Sequence, residues 1–244
     1  MATCCLLQVQ GREDMEKVNL PLNNEMNLYP ESYKDSLEQQ PIKWCDSISQ
    51  FPSLVSEGYA YLGILLEDDF DGDGQKDYLL SVQATCPEKL HEYGFADETD
   101  RMYDCNFRGY VLVMSHKDRY KVTSSNYTCF LPEEIHCIDD LTYPMWLDDV
   151  SFSNGVLELH FFGALGGSGI RTKDYEFQYV DGDFVLIGLR EEYFAGEDGE
   201  TVYLESCNLK EGKLYVKREG SVREEAFISP RQIKLSEIVA LPLY

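Results

Sequence analysis

The segment DFDGDGQKD, residues 69–77, sets Asp69, Asp71, Asp73 and Asp77 at loop positions 1, 3, 5 and 9, with Gly74 at position 6. Carboxylates so spaced in a tight turn aim their oxygens at one point. Gly74 supplies the sharp bend, and Gln75 at position 7 can offer its backbone carbonyl. Calcium takes roughly six to eight hard oxygen ligands, so Asp69, Asp71, Asp73, Gln75 and Asp77, completed by water, form a candidate calcium set. A helix–loop–helix calcium hand needs Glu at position 12, where Leu80 stands, and the flanking runs read as strands. Each close carboxylate pair in the turn repels by about 1 kcal/mol even in a water-like dielectric, and a bound cation reverses that sign. The competing reading is a solvated acidic turn that keeps the same backbone shape through Asx hydrogen bonds, without metal.

Other constellations carry less. Glu158 and His160 lie two apart on one strand face, a spacing for proton transfer or metal binding. A half-buried neutral histidine bonded to a neighbour is the more ordinary role. Gly166-Gly167-Ser168-Gly169 lacks the final glycine of a nucleophile elbow, since Ile170 stands there, and no Gly-Lys-Ser/Thr follows to make a phosphate loop. Cys129, His136 and Cys137 lack a fourth metal ligand, and the doublets Asp139-Asp140 and Asp148-Asp149 are candidates for the carboxylate pair of glycoside chemistry, with turn capping the more ordinary role. No catalytic residue is assigned.

The elements that must position the loop read as strands. YAYLGILL (59–66) and DYLLSVQA (77–84) flank it, and GYVLVMS (109–115) and RYKVTS (119–124) form a hairpin around His116-Lys117-Asp118. Asn154-Gly155 and Asp181-Gly182 are two-residue turns whose members tolerate positive φ. After the first of these, Leu157, Leu159 and Phe161 share one face and leave Glu158 and His160 on the other. ETVYLESC (200–207) and KLYVKR (213–218) bracket a turn at Glu211-Gly212. SISQFPSLV (47–55) and PEKLHEYG (87–94) read as short helical pieces. The apolar C-terminal run IKLSEIVALPLY is expected to dock on the domain through Ile238, Val239, Leu241 and Leu243. This pattern predicts a mainly β fold of antiparallel sheets with a few short helices, as a sandwich, partial barrel or irregular stack. Residues 1–43 read as a polar tail or tether, and 44–244 as one β-rich domain or two subdomains meeting near 145–150.

D-x-D-x-D-G-x-x-D between strands resembles the calcium loops of FG-GAP and VCBS-type repeats. The second half, with YEFQYVDGDFVLIGL and then Ser206, Asn208, Gly212 and Lys213 in an S-x-N-x-x-x-G-K turn, resembles a segment of uncharacterised bacterial proteins. That resemblance implies secreted or envelope proteins. The chain departs from the pattern in its cysteine load and in showing no leader.

Bulk composition narrows the function classes. Lys and Arg number 21 against 44 Asp and Glu, a net charge of −23 that repels nucleic acid and anionic lipid. No run approaches the roughly 18 apolar residues of a membrane span, so no transmembrane segment is expected. Eight cysteines without a C-x-x-C fit either disulfides or scattered thiols. ATCCLL within residues 1–10 reads as the tail of an export leader, and Met1-Ala2-Thr3-Cys4 comes near a bacterial lipoprotein cleavage box. The expected compartment is the bacterial envelope or periplasm, with the cytoplasm as the alternative. The leading functional expectation is a non-enzymatic calcium-binding module that meets a protein or glycan. The second is an acidic immunity or inhibitor protein against a basic toxin or nuclease, and the third a hydrolase.

Overall fold

The computed structural model describes residues 43–93, 101–130, 145–165, 169–195, 200–218, 221–226 and 232–238. The expected tail falls outside them apart from Lys43, as do Val239, Leu241 and Leu243. In chain order the strands are β1 (Trp44–Cys45), β2 (Tyr59–Asp68), β3 (Asp77–Ala84), β4 (Leu90–Tyr93), β5 (Arg101–Asp104), β6 (Arg108–His116) and β7 (Arg119–Phe130). There follow β8 (Trp146–Ser153), β9 (Val156–Leu165), β10 (Gly169–Val180), β11 (Asp183–Ala195), β12 (Glu200–Asn208), β13 (Lys213–Arg218) and β14 (Ser221–Ala226). A five-stranded sheet has the order β1-β7-β6-β3-β2, a seven-stranded sheet runs β14 to β8 as a meander, and β4 pairs with β5. Every pairing is antiparallel, as the sequence pattern predicts.

The two large sheets differ in what covers them, and their sequences show it. One buried cluster joins Leu79, Tyr110 and Leu112 of the first sheet to Leu157, Phe161, Tyr175 and Phe184 of the second. On the first sheet's other face, Tyr78, Leu80, Val82, Val111 and Val113 pack under the 3₁₀ segment Ile48–Leu54, through Phe51 and Leu54. Strands β3 and β6 are therefore buried on both sides and read as nearly unbroken apolar runs. Strand β9 is buried on one side only, so Leu157 and Leu159 alternate with the exposed Glu158.

The turns follow the residues that favour them. Asn154 and Gly155 adopt φ of 52° and 78°, and Asp181 and Gly182 adopt 50° and 89°, the left-handed geometry of a tight hairpin. Edge strand β2 carries two bulges, at Tyr61/Gly63 and Ile64/Leu66, which bend it and disfavour pairing with another chain. The helical turn expected over 87–94 is confined to Pro87–Lys89, because the chain from Leu90 onward finds a strand partner in Arg101–Asp104. Asp148 and Asp149 lie within β8 beside a bulge, correcting their reading as turn caps. Asp139, Asp140, His136 and Cys137 lie outside the described residues, as does 166–168.

The C-terminal segment closes the sandwich. Leu186 N–H donates to the Ile233 carbonyl at 2.8 Å, on the second sheet. The Asn126 amide, on the first sheet, donates to the Leu235 and Ile238 carbonyls at 3.0 and 2.5 Å. Ser236 donates its hydroxyl to the buried Asp183. Leu235 is fully buried and Ile238 nearly so, both within the shared core. Leu235→Ala is expected to cost about 2–5 kcal/mol, the range for deleting a packed leucine side chain. A thermal melt unchanged within 1 °C would show that the segment does not hold the sheets together.

Candidate cation site

Strands β2 and β3 bring the loop's ends together, the last register pair being Asp68 with Asp77. Within the loop, Asp69 gathers the backbone: Oδ1 accepts from Gly72 N at 2.8 Å and Asp73 N at 3.0 Å, and Oδ2 from Gly74 N at 2.8 Å. Asp71 Oδ1 accepts from Asp73 N at 3.1 Å. This coil needs positive φ at Gly72 (79°) and Gly74 (86°), which glycine adopts without a Cβ penalty.

Asp77 is the anchor. It is 1% exposed; Oδ2 accepts from Phe70 N at 3.0 Å and Oδ1 from Ser115 N at 2.8 Å, joining the loop to the end of β6. Burial pushes the Asp77 carboxyl up to about 6; the N–H groups of Ser115 and Phe70 oppose the rise, and the charges of Asp71 and Asp73 add to it. Tyr179, on β10, is raised to about 12 by burial and then by Asp71, Asp77 and Asp183. Phe70, the loop's second residue, is 4% exposed and meets Phe152 and Phe184 edge-on at centroid distances of 5.0 and 5.4 Å. The loop is thus plugged between the two sheets through Phe70.

Asp69, Asp71 and Asp77 each offer a carboxylate oxygen within 4.8 Å of the others. At that separation each like-charge pair repels by roughly 1 kcal/mol in water and about 3–4 kcal/mol at a protein-surface dielectric. Three hard carboxylate donors converging from loop positions 1, 3 and 9 suit calcium. Asp73 does not converge with them; its oxygens accept from Gln75 N and Gln75 Nε2, both at 2.7 Å. Alternation alone does not reveal that Asp73 caps the turn, because the side chain's direction depends on the coil's local hydrogen bonds.

Glu158 and His160 lie on the outer face of the second sheet. Their cross-strand neighbours on β10 are Glu176 and Asp174, and Asp174 hydrogen-bonds His160 Nδ1. Burial raises the Glu158 carboxyl, with Asp174 and Glu176 adding to the effect. The Asp174 partner is invisible without the β9–β10 register, although its own alternation with Glu176 places both on one face. Cys129 is buried in the core, a protonated thiol whose pKa burial raises well above its ordinary value. Cys105 is disulfide-bonded, while Cys45, Cys86, Cys129 and Cys207 are free. Among the described residues, no helix is long and apolar enough to cross a membrane.

Comparison of the chain with protein-family models, curated proteins and solved structures finds no match.

Proposed function

We propose that this chain is a calcium-binding, non-enzymatic β-sandwich module of the bacterial envelope, which presents a rigid surface to a protein or glycan. The observation that carries the reading is the convergence of Asp69, Asp71 and Asp77 within 4.8 Å on a loop whose hydrogen bonds form it in advance. The resemblance of the loop to FG-GAP and VCBS repeats supports the choice of calcium. The Cys105 disulfide supports an oxidising compartment. In this reading the ion relieves repulsion among three carboxylates and stiffens the β2–β3 connection that Phe70 and Asp77 tie to both sheets. Magnesium, which demands a small octahedral shell, binds less well.

Calcium that binds only the folded state adds about 2.7 kcal/mol at 100 times its dissociation constant. Thermal melts of the wild type in excess calcium and in EDTA should therefore separate by several degrees. Asp71 is exposed, so Asp71→Ala should fold and its two melts coincide. Coincident wild-type melts, with no heat on calorimetric titration, would leave the loop as an acidic turn.

A further inference from the structure

Beside the loop's exit lies an open cleft of about 500 Å³, within the size range of small-molecule sites. Three distant pieces of chain build it: Asp46 after β1, Gln75 to Tyr78 at the start of β3, and Ser115 to Tyr120 around the β6–β7 turn. Tyr78, 4% exposed, and the half-buried Tyr120 line it from the core side. Tyr78 and Tyr120 meet edge-on with ring centroids 5.7 Å apart, and Phe51 backs them at 5.0 and 5.2 Å. One wall is pinned, since Ser115 donates its hydroxyl to the Lys76 carbonyl and its N–H to Asp77, and Lys76 pairs with Glu67. Asp46 is oriented by Arg119, whose Nε lies 2.7 Å from Oδ1.

The charge lining the cleft is unlike that of the chain. Against a net charge of −23, the lining sets two carboxylates, Asp46 and Asp118, against two ammonium groups, Lys76 and Lys117. A balanced lining gives a free ion no net attraction. It supplies instead carboxylate acceptors and ammonium donors in one lining with two tyrosines. A sugar has the matching chemistry: each hydroxyl both donates and accepts, adjacent hydroxyls suit a carboxylate's two oxygens, and the C–H face of the ring packs on aromatic carbon. We propose that this cleft binds a neutral saccharide, with Asp118 and Lys117 holding hydroxyl groups and Tyr120 packing against the sugar ring. The inference rests on the reading of the chain as a binding module and narrows its partner to a glycan.

Saturation-transfer NMR followed by titration tests it, using the full chain with glucose, galactose, mannose, N-acetylglucosamine, maltose, cellobiose and glucuronate. The expected result is saturable binding of at least one neutral sugar, weakened tenfold or more by Asp118→Ala and by Lys117→Asn. Both positions are exposed, and asparagine tolerates the φ of 57° at Lys117, so the melts of the two variants should match the wild type. Three outcomes would overturn the proposal: no neutral sugar binds, binding survives both substitutions unchanged, or glucuronate binds best and loses affinity only in Lys117→Asn. A calcium-dependent melt that persists beside any of these would leave the cation reading intact while removing the saccharide.

Discussion

Phe70→Ala is expected to destabilise the protein by about 3–5 kcal/mol, lowering the melting temperature on the order of 10 °C. The reason lies in where the ring sits. Phe70 belongs to an acidic turn whose tip, Asp71 to Gly74, is exposed, yet its side chain enters the shared core and meets Phe152 and Phe184, both of the second sheet. Truncation removes the ring's transfer free energy and leaves a void that two edge-on partners line. The backbone hydrogen bond from Phe70 N to Asp77 holds the position in place, so the neighbours cannot collapse freely into the gap. Phe70→Leu, which refills most of the volume, should recover more than half of the loss. Urea melts of the three proteins check this, and a loss below 1 kcal/mol for the alanine variant would show the loop is not plugged between the sheets.

A second large effect is expected at Gly109. A Cβ there would lie 2.0 Å from the Asn126 carbonyl oxygen and 2.5 Å from Tyr127 Cα, both backbone atoms. The β6–β7 register steps past this residue, from the Arg108–Phe130 pair to the Tyr110–Asn126 pair, so β7 crosses directly over it. Gly109→Ala must push two core strands apart and should cost about 3 kcal/mol or more, at the upper end of overpacking substitutions. Gly188→Ala is the informative contrast. Its Cβ would also clash, at 2.4 Å, but with the Glu176 carboxylate, the far end of an exposed side chain that can swing away. Chemical denaturation should therefore separate the two variants by at least 2 kcal/mol, and similar midpoints would refute the backbone approach at Gly109.

The local devices of this fold were legible, and the long-range ones were not. Asn154-Gly155 and Asp181-Gly182 announce hairpins because their turn geometry is written into residue type. The alternation of Leu157, Leu159 and Phe161 identifies a one-sided strand for the same local reason. Strand β14 is not legible in the sequence, because SVREEA carries no apolar alternation; it forms as the charged edge of the meander through its pairing with β13. Nothing local tells that Trp44 and Cys45 pair with Lys121 and Tyr120, or that Asp183 collects hydroxyls from Ser124 and Ser236. In the candidate site, composition and spacing located the loop and its glycines. The Ser115 N–H that fixes Asp77 belongs to a strand more than thirty residues away and shows only in the register.

The two sheets come from consecutive stretches of chain, and the segment that ties them together follows both. Asn126 and Asp183 are 2% and 6% exposed. Until residues 232–238 arrive, the Asn126 amide lacks the carbonyls of Leu235 and Ile238, which lie 109 and 112 residues downstream. Asp183 likewise waits for Ser236, 53 residues on. A sandwich assembled without them buries polar groups short of partners, at about 1–3 kcal/mol each. During vectorial synthesis the first sheet can pair its strands early, whereas sealing of the interface must wait for contacts more than a hundred residues apart in sequence, the kind that slow folding.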